Sequence, residues 1–382
     1  MITITDKRKC SGCHACYSVC PKQCIEMKSD AEGFWYPSVD ASLCIQCGLC
    51  TKVCPILQEK QIEETTTAYA CFNQNMTVRL QSSSGGVFSL LAQKVLLQDG
   101  VVFGAQFNDD LSVSHAEIHT IEEIEKLRGS KYQQSKIEDT YIAAKKYLDA
   151  NKLVYFSGTP CQIDGLKAYL KKDYDCLICQ DIICHGVPSP KVFQQYLKEK
   201  NAYFKEKPES MTFREKVLDW ENYAIRIDYP SKSFVRTHKD DLYMKVFLQD
   251  LSLRPSCFAC HSKGVQRNSD ITLADFWGID KVFPEMSDKK GTSLVILHSD
   301  KGRELFKEIQ SSLICKEVDV NEAGKYNPSL YQSVNKPKKR DVFMETLESE
   351  DFSVHAKKYL KKNRVKTVKR ILKKVINKLR KR

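Results

Sequence analysis

The chain has 382 residues, is 42% hydrophobic, and carries 17 cysteines and a formal net charge of +12. At about 150 residues per domain this length suggests two or three domains with enough apolar material for real cores. The charge does not mark a nucleic-acid-binding face, because fourteen Lys and Arg and no acid lie between Lys357 and Arg382, which takes residues 1–356 down to −2. The start, Met1-Ile-Thr-Ile-Thr-Asp-Lys7, lacks the basic and apolar regions of a secretory signal, so a reducing, cytoplasmic setting is expected for the cysteines. No uncharged apolar run approaches the ~18 residues of a membrane-spanning helix.

Residues 1–60 hold two matching strings, Cys10-x2-Cys13-x2-Cys16-x3-Cys20-Pro21 and Cys44-x2-Cys47-x2-Cys50-x3-Cys54-Pro55. This is the spacing of bacterial two-cluster ferredoxins, in which the fourth cysteine of each run ligates the other cluster. Three closely spaced thiolates converge on three corners of a cube, and the remaining corner takes a ligand from a distance. The expected 4Fe-4S ligand sets are therefore Cys10, Cys13, Cys16 and Cys54 for one cluster, and Cys44, Cys47, Cys50 and Cys20 for the other. A pair of zinc sites needs only four ligands each and explains neither the third cysteine of a run nor the Cys-Pro endings.

A Gln-, Glu- and Thr-rich linker, Leu57 to Thr67, follows. Tyr69–Phe72 reads as a strand, Gln81-Ser-Ser-Ser-Gly-Gly86 as a turn, and Val87–Leu97 as an apolar helix. Serines before Gly-Gly at a helix start leave backbone N–H groups pointing outward; that suits a phosphate or a flavin edge, or equally a plain N-cap. Val101–Phe107 and Ala116–His119 alternate like strands, Ile121–Leu127 is a short helix, and Arg128-Gly-Ser-Lys-Tyr-Gln-Gln-Ser135 is a loop with two cations. Ile137–Asp149 has helical spacing. Lys152–Phe156 is a buried strand running into Ser157-Gly-Thr-Pro-Cys161-Gln and a helix, Ile163–Leu170. Cys176–Cys184 is a second such strand, ending in Cys184-His-Gly-Val-Pro188 before a helix from Lys191 to Glu199. In α/β folds ligands sit at these carboxyl ends. Met211–Phe213, Tyr223–Tyr229 and Phe234–Thr237 read as a β-rich insertion and Leu242–Asp250 as a helix. Cys257-x2-Cys260-His261 and Ile271-Thr-Leu-Ala-Asp-Phe-Trp-Gly278 follow, then a strand Ser293–His298 and a helix Arg303–Ile309. No Gly-x-Gly-x-x-Gly or P-loop is present, so an ordinary dinucleotide fold has no support.

Nine cysteines remain outside the ferredoxin runs. Cys24, Cys71 and Cys315 stand singly in apolar settings and are expected in the core, as are Cys176 and Cys179, which strand alternation would put on opposite faces. Cys161 and Cys184, each at a strand end, could join Cys257 and Cys260 in a third four-thiolate site, with structural zinc or unligated thiols as the alternatives. A c-type haem reading of Cys257-x2-Cys260-His261 requires an exported protein.

Several strings, in order between about residues 68 and 300, resemble the family of coenzyme F420 hydrogenase/dehydrogenase β subunits: Ser84-Gly-Gly-Val87, Gly129-Ser-Lys-Tyr132, Gly158-Thr-Pro-Cys-Gln162, Cys184-His-Gly-Val-Pro188, Cys257-x2-Cys260 and Ala274-Asp-Phe-Trp-Gly278. The resemblance implies an α/β core at 61–350 binding FAD, behind the ferredoxin-like domain at 1–60, so the expected fold is α+β; the basic amphipathic helix expected at 351–382 lies outside the resemblance. It implies that Ser84, Gly85, Gly86, Lys131, Tyr132 and Gln133 lie at the flavin, and that Cys161, Cys184, Cys257 and Cys260 hold a third 4Fe-4S cluster. The implied activity is an oxidoreductase exchanging electrons between clusters and a two-electron partner at the flavin, either deazaflavin F420 or a small organic or sugar-linked molecule. A pure electron-transfer subunit, serving a redox partner protein or ferredoxin, is the alternative. In the tail, Val365, Val368, Leu372, Val375 and Leu379 form an apolar stripe opposite Lys and Arg. Such a helix suits the anionic, cytosolic face of a membrane, or equally a partner protein or solvent.

Overall fold

The chain is described from a computed structural model, which covers residues 1–57, 66–217 and 219–360. The N-terminal module is two copies of one loop. Gly12 and His14 on either side of Cys13, and Gln46 and Gly48 on either side of Cys47, all have left-handed backbones. They wrap each run around its thiols before a single helical turn, Ala15–Ser18 in one copy and Leu49–Lys52 in the other. A hairpin of β1 (Ile25–Ser29) and β2 (Trp35–Val39) joins the two.

The core is an eight-stranded sheet. Its strands are β3 (Thr67–Asn73), β4 (Val101–Phe107), β5 (Val113–Ile118), β6 (Val154–Ser157), β7 (Leu177–Ile182), β11 (Ile271–Asp275), β12 (Ser293–Leu297) and β13 (Leu313–Val318). The order is β13-β3-β12-β11-β7-β6-β4-β5. The four central strands, β11, β7, β6 and β4, are parallel and antiparallel strands flank them. Alternation decides which face each side chain serves. Tyr155 and Val102 pack with the helices Val87–Leu97 and Asp300–Ile309. Their neighbours Val154, Phe156, Val101 and Phe103 pack with Thr140–Asp149 and Pro160–Leu170 on the other face. Between β7 and β11 the chain makes the helix Pro190–Phe204, an antiparallel sheet of β8 (Ser210–Glu215), β9 (Ala224–Asp228) and β10 (Ser233–Thr237), and the helix Leu242–Leu248. These enclose an aromatic core of their own.

Several expectations change here. The helix after β6 starts at Pro160, not Ile163, because Thr159 and Gln162 form a reciprocal capping box that draws Cys161 into its first turn. Cys176 and Cys179 pack in the same cluster, since Cys176 lies ahead of the strand and alternation does not reach it. Cys71 and Cys315 are paired residues of β3 and β13 with sulfurs 3.0 Å apart, and Cys24 lies 3.4 Å from the sulfur of Cys20. Residues 310–350, for which the sequence suggested no element, form β13 and further helices, among them Arg340–Glu345, and a helix Phe352–Tyr359 follows. Phe352 and Ala356 are buried in the aromatic core, so ordered packing runs past residue 351. The apolar stripe from Val365 to Leu379 lies outside the described residues.

The module is clamped to the core. Arg340, fully buried, donates both guanidinium arms to Glu32 at 2.5 Å and also donates to the carbonyl of Leu253. Ser189 and Lys191, at the start of one core helix, donate to the carbonyls of Glu32 and Ala31.

Candidate functional site: three thiol-lined hollows and a polar cavity

Four groups of predicted residues come together in space. Cys10, Cys13, Cys16 and Cys54 surround one hollow. Cys20, Cys44, Cys47 and Cys50 surround a second, where Cys47 is exposed and Cys24 adds a fifth thiol. The crossing of the fourth cysteines follows from packing, because the two single-turn helices lie against each other. Among the described residues no three His, Cys, Asp or Glu side chains gather as ligands of one metal ion. The thiols instead ring a volume, as ligands spread over several irons do. At the first hollow the ring of His14 is buried with neither nitrogen bonded to protein, so an acceptor such as a cluster sulfide fits there.

Cys161, Cys184, Cys257 and Cys260 surround a third hollow. Cys161 is carried by the capped helix start, Cys184 by the chain just past β7, and Cys257 by a 3-10 turn, Pro255–Ala259. The Val187 N–H donates to the Cys257 sulfur at 3.4 Å, and the Cys260 N–H to the Ser333 hydroxyl at 2.9 Å. Burial pushes the thiols of Cys161, Cys184 and Cys257 up to about 12. Four thiolates here therefore need countercharge. Arg254, Lys263 and Arg267 line the same hollow, and Arg267 keeps one terminal nitrogen without a partner.

Ser11 lines both the first and third hollows. The helix bearing Cys161 lies so close to the first run that a Cβ on Gly165 would stand 2.7 Å from that of Cys13. On its far side the third hollow shares Cys184, His185, Gly186 and Val187 with a cavity of about 610 Å³.

This cavity lies at the carboxyl ends of β6, β7 and β11. Ser84, Gly86, Lys131, Tyr132 and Gln133 line it. Gly85 does not: its N–H donates to the Ser293 hydroxyl, and a Cβ there would meet the Cys71 carbonyl at 2.5 Å, so it is the point where the loop seats on the sheet. Gly86 caps the helix Val87–Leu97 with a φ of 83° and no side-chain bond, so the first turn of that helix, whose Val87 and Phe88 line the cavity, has no side-chain cap on its N–H groups. The Ser84 hydroxyl is used on the Thr292 carbonyl and the Gln133 amide on that of Leu111. Lys131 is half-buried and donates to the carbonyls of Leu127, Arg128 and Gly129 at 3.1–3.2 Å; desolvation brings its ammonium down to about 7.

The structure adds residues that sequence reasoning missed. Arg214, buried on β8, pairs with Asp275 at 2.9 Å and donates to the Tyr132 hydroxyl at 3.2 Å. Burial opposes its charge, but Asp275 and the surrounding tyrosines hold it cationic. His115 lies between Ser135 (2.7 Å) and the Ser157 carbonyl (3.0 Å). A carbonyl only accepts, so Nε2 carries the proton and Nδ1 accepts from Ser135. Burial lowers its pKa to about 4, which makes it a fixed neutral hydrogen-bonding group. His185 bonds to Asp250 at 2.6 Å on the wall shared with the third hollow. Only His185 and Asp275 fall within the family-like strings; Arg214 and His115 lie on plain strands and carry no local signal.

The fold and these sites define an iron–sulfur protein with a two-cluster module on a mixed α/β core. Residues 9–56 match the 4Fe-4S dicluster domain, and residues 151–323 match the C terminus of the coenzyme F420 hydrogenase/dehydrogenase β subunit. In chain order the dicluster domain stands in front of the region that is similar to these β subunits.

Among similar proteins, a subunit of the F420H2 dehydrogenase of Methanosarcina mazei is 22% identical over 205 residues, 50% of this chain and 58% of the relative. An uncharacterized ferredoxin of Methanocaldococcus jannaschii is 40% identical over 52 residues, 14% of this chain and 66% of that one. A subunit of the NADH-quinone oxidoreductase of Pelobacter propionicus is 39% identical over 57 residues, 13% and 31% of the two chains. The chain thus spans between about a third and two thirds of the curated relatives' lengths. A chain of the F420-reducing [NiFe] hydrogenase complex of Methanosarcina barkeri, solved as a xenon derivative, superposes with a TM-score of 0.47 at 13% identity, covering 77% of this chain and 96% of that one. Among the described residues no helix is long and apolar enough to cross a membrane.

Proposed function

We propose that this chain is an iron–sulfur flavoprotein oxidoreductase. Cys10, Cys13, Cys16 and Cys54 would hold one 4Fe-4S cluster, Cys20, Cys44, Cys47 and Cys50 a second, and Cys161, Cys184, Cys257 and Cys260 a third, with FAD in the cavity. The observation that carries this reading is the shared wall Cys184–Val187, which makes the third hollow and the cavity neighbours. A flavin exchanges both single electrons and pairs, which iron–sulfur clusters alone cannot do. The chain's own groups suit that ligand. The uncapped N–H groups after Gly86, the positive end of that helix and Lys131 favour a diphosphate or an anionic ring. Arg214 with Asp275 offers a fixed, buried dipole beside the same loop, bonded to the Ser83 carbonyl and the Tyr132 hydroxyl, and His115 a neutral hydrogen-bonding group.

The exposed Cys47, beside the exposed Leu43 and Ile45, makes the second hollow the natural entry for a ferredoxin-like donor. The acceptor class is F420 or a small organic or sugar-linked molecule. The basic, amphipathic pattern of Lys357–Arg382 supports docking on an anionic membrane surface.

The second reading is an electron-transfer subunit with the chemistry in a partner, which the names of two relatives, each a subunit of a larger enzyme, favour. Anaerobically purified protein should contain about twelve irons and release FAD on denaturation, and Cys257→Ser should lower iron to about eight while leaving the ferredoxin clusters. About eight irons in the unaltered chain would remove the third cluster. A flavin that can be neither released nor reconstituted would remove the oxidoreductase reading. A flavin that is reduced but never turned over with candidate acceptors would favour the relay.

A further inference from the structure

Arg254 is fully buried where the module meets the core. Its Nε donates to the Cys10 carbonyl at 2.9 Å, and its two terminal nitrogens reach the Gln134 amide oxygen at 3.1 Å, the Trp35 carbonyl at 2.9 Å and the Cys10 sulfur at 3.7 Å. Its guanidinium carbon stands 4.3 Å from the centre of the Tyr36 ring, and its side chain lines the third hollow. None of these partners is a carboxylate. The acids of the neighbouring hairpin are engaged elsewhere, Asp30 by Lys7 and Glu32 by Arg340. A buried cation is costly unless an anion answers it, and Arg254 reaches the first ring of four cysteine sulfurs through both Cys10 atoms and lines the hollow of the third.

We propose that Arg254 is a positioning residue whose charge is answered by the cluster held by Cys10, Cys13, Cys16 and Cys54, and that it raises that cluster's reduction potential above that of the outer one. Net charge and hydrogen bonds to sulfur are two of the levers that set such potentials. An added electron makes the cluster more negative, so a fixed cation and an N–H to Cys10 stabilise the reduced form more than the oxidised. At the second hollow the cationic side chain is Lys22, which is exposed, so water screens its charge, and no bond of Arg254 reaches Cys20, Cys44, Cys47 or Cys50. The consequence is a downhill inward step of one electron, delivered by an external low-potential one-electron donor, with no bond made or broken. The proposal rests on the cluster reading of the first hollow, and its link to the third hollow rests on the reading given under Proposed function.

The test is a redox titration of the full-length holoprotein followed by electron paramagnetic resonance, comparing Arg254→Gln and Arg254→Lys with the unaltered chain. The outer cluster is identified as the signal that Cys47→Ser changes. Arg254→Gln should lower the inner midpoint by about 59 mV or more, a tenfold change in a one-electron equilibrium. Arg254→Lys should lower it less, since it keeps the charge but loses the fork that reaches both Cys10 atoms. The outer midpoint should not move. Full iron with an unchanged inner midpoint in Arg254→Gln, or an equal shift of both midpoints, overturns the proposal. Should Arg254→Gln fail to hold its iron, Arg254→Lys decides: a fall in the inner midpoint sustains the proposal and an unchanged value overturns it. A chain with about eight irons removes the third cluster yet leaves this measurement on the first intact.

Discussion

Lys131 shows how one residue can fit a ligand without being a free charge. Three carbonyls accept from its ammonium, yet desolvation brings it down to about 7 from an ordinary value near 10.5. With a lowered pKa, the unfolded chain holds a proton between pH 7 and 10.5 that the folded chain has released. Burial of the charged form therefore costs stability below about pH 7, and that cost is relieved as pH rises through this window. For an anionic ligand the sign reverses, because only protonated Lys131 attracts it. FAD affinity, read from quenching of flavin fluorescence, should fall as the pH is raised from about 6 to 8. Lys131→Met should bind FAD more weakly at pH 6 and show a flat profile. The same slope in both proteins would mean that Lys131 does not face the ligand.

At the scale of elements, the contact that brings two thiol sites together is a glycine. Gly165 lies in the middle of the helix Pro160–Leu170, where alanine would ordinarily be better by about 1 kcal/mol. Here a Cβ would stand 2.7 Å from the Cys13 Cβ and 3.0 Å from both the Cys13 sulfur and the Tyr141 hydroxyl. Overpacking of this kind costs roughly 1–3 kcal/mol, so it outweighs the propensity gain. Gly165→Ala should destabilise the protein by about 1 kcal/mol in chemical denaturation and slow reduction of the core by an external ferredoxin. A variant that is more stable, with unchanged reduction, would show that helix and module are not held in contact.

Which elements were legible follows from the same physics. The helix Val87–Leu97 and strand Val101–Phe107 were placed correctly because their apolar spacing is local. The twelve cysteines singled out in the sequence gather in space as three groups of four, because thiol spacing and strand-end positions survive folding. That Gly85 seats the loop on the sheet was not legible, because its N–H meets the Ser293 hydroxyl 208 residues away. The elements between Ile309 and residue 351 were missed for a related reason. The burial of Arg340 depends on its meeting Glu32 of the module, a pairing no local period encodes.

At the scale of the whole molecule, the module behaves as a built-in part of the core and not as a tethered carrier. Its hairpin turn is gripped by Arg340 from the C-terminal helices, by Ser189 and Lys191 from the helix start, and by the tight seat of Gly33, whose Cβ would stand 2.4 Å from that of Lys191. Because Arg340 also donates to Leu253 in the segment leading to Cys257, one residue links the module, the third thiol site and the C-terminal helices. Unfolding should therefore be a single event, with cluster absorbance and tryptophan fluorescence lost at the same temperature. Glu32→Ala leaves Arg340 buried without its carboxylate. Removing one partner of a buried pair costs about 3–5 kcal/mol, and the partial exposure of Glu32 puts the expected loss near the lower end, about 3 kcal/mol. Much of that loss falls on the joint between module and core, so the two signals should separate, the cluster absorbance going first. Glu32→Gln, which keeps one acceptor for the guanidinium, should fall between the two. If both signals still vanish together at an unchanged temperature in Glu32→Ala, the Arg340 clamp does not couple the parts, and the order of the three thiol sites must be held by the remaining contacts, those of Ser189, Lys191, Arg254 and Gly165 among them.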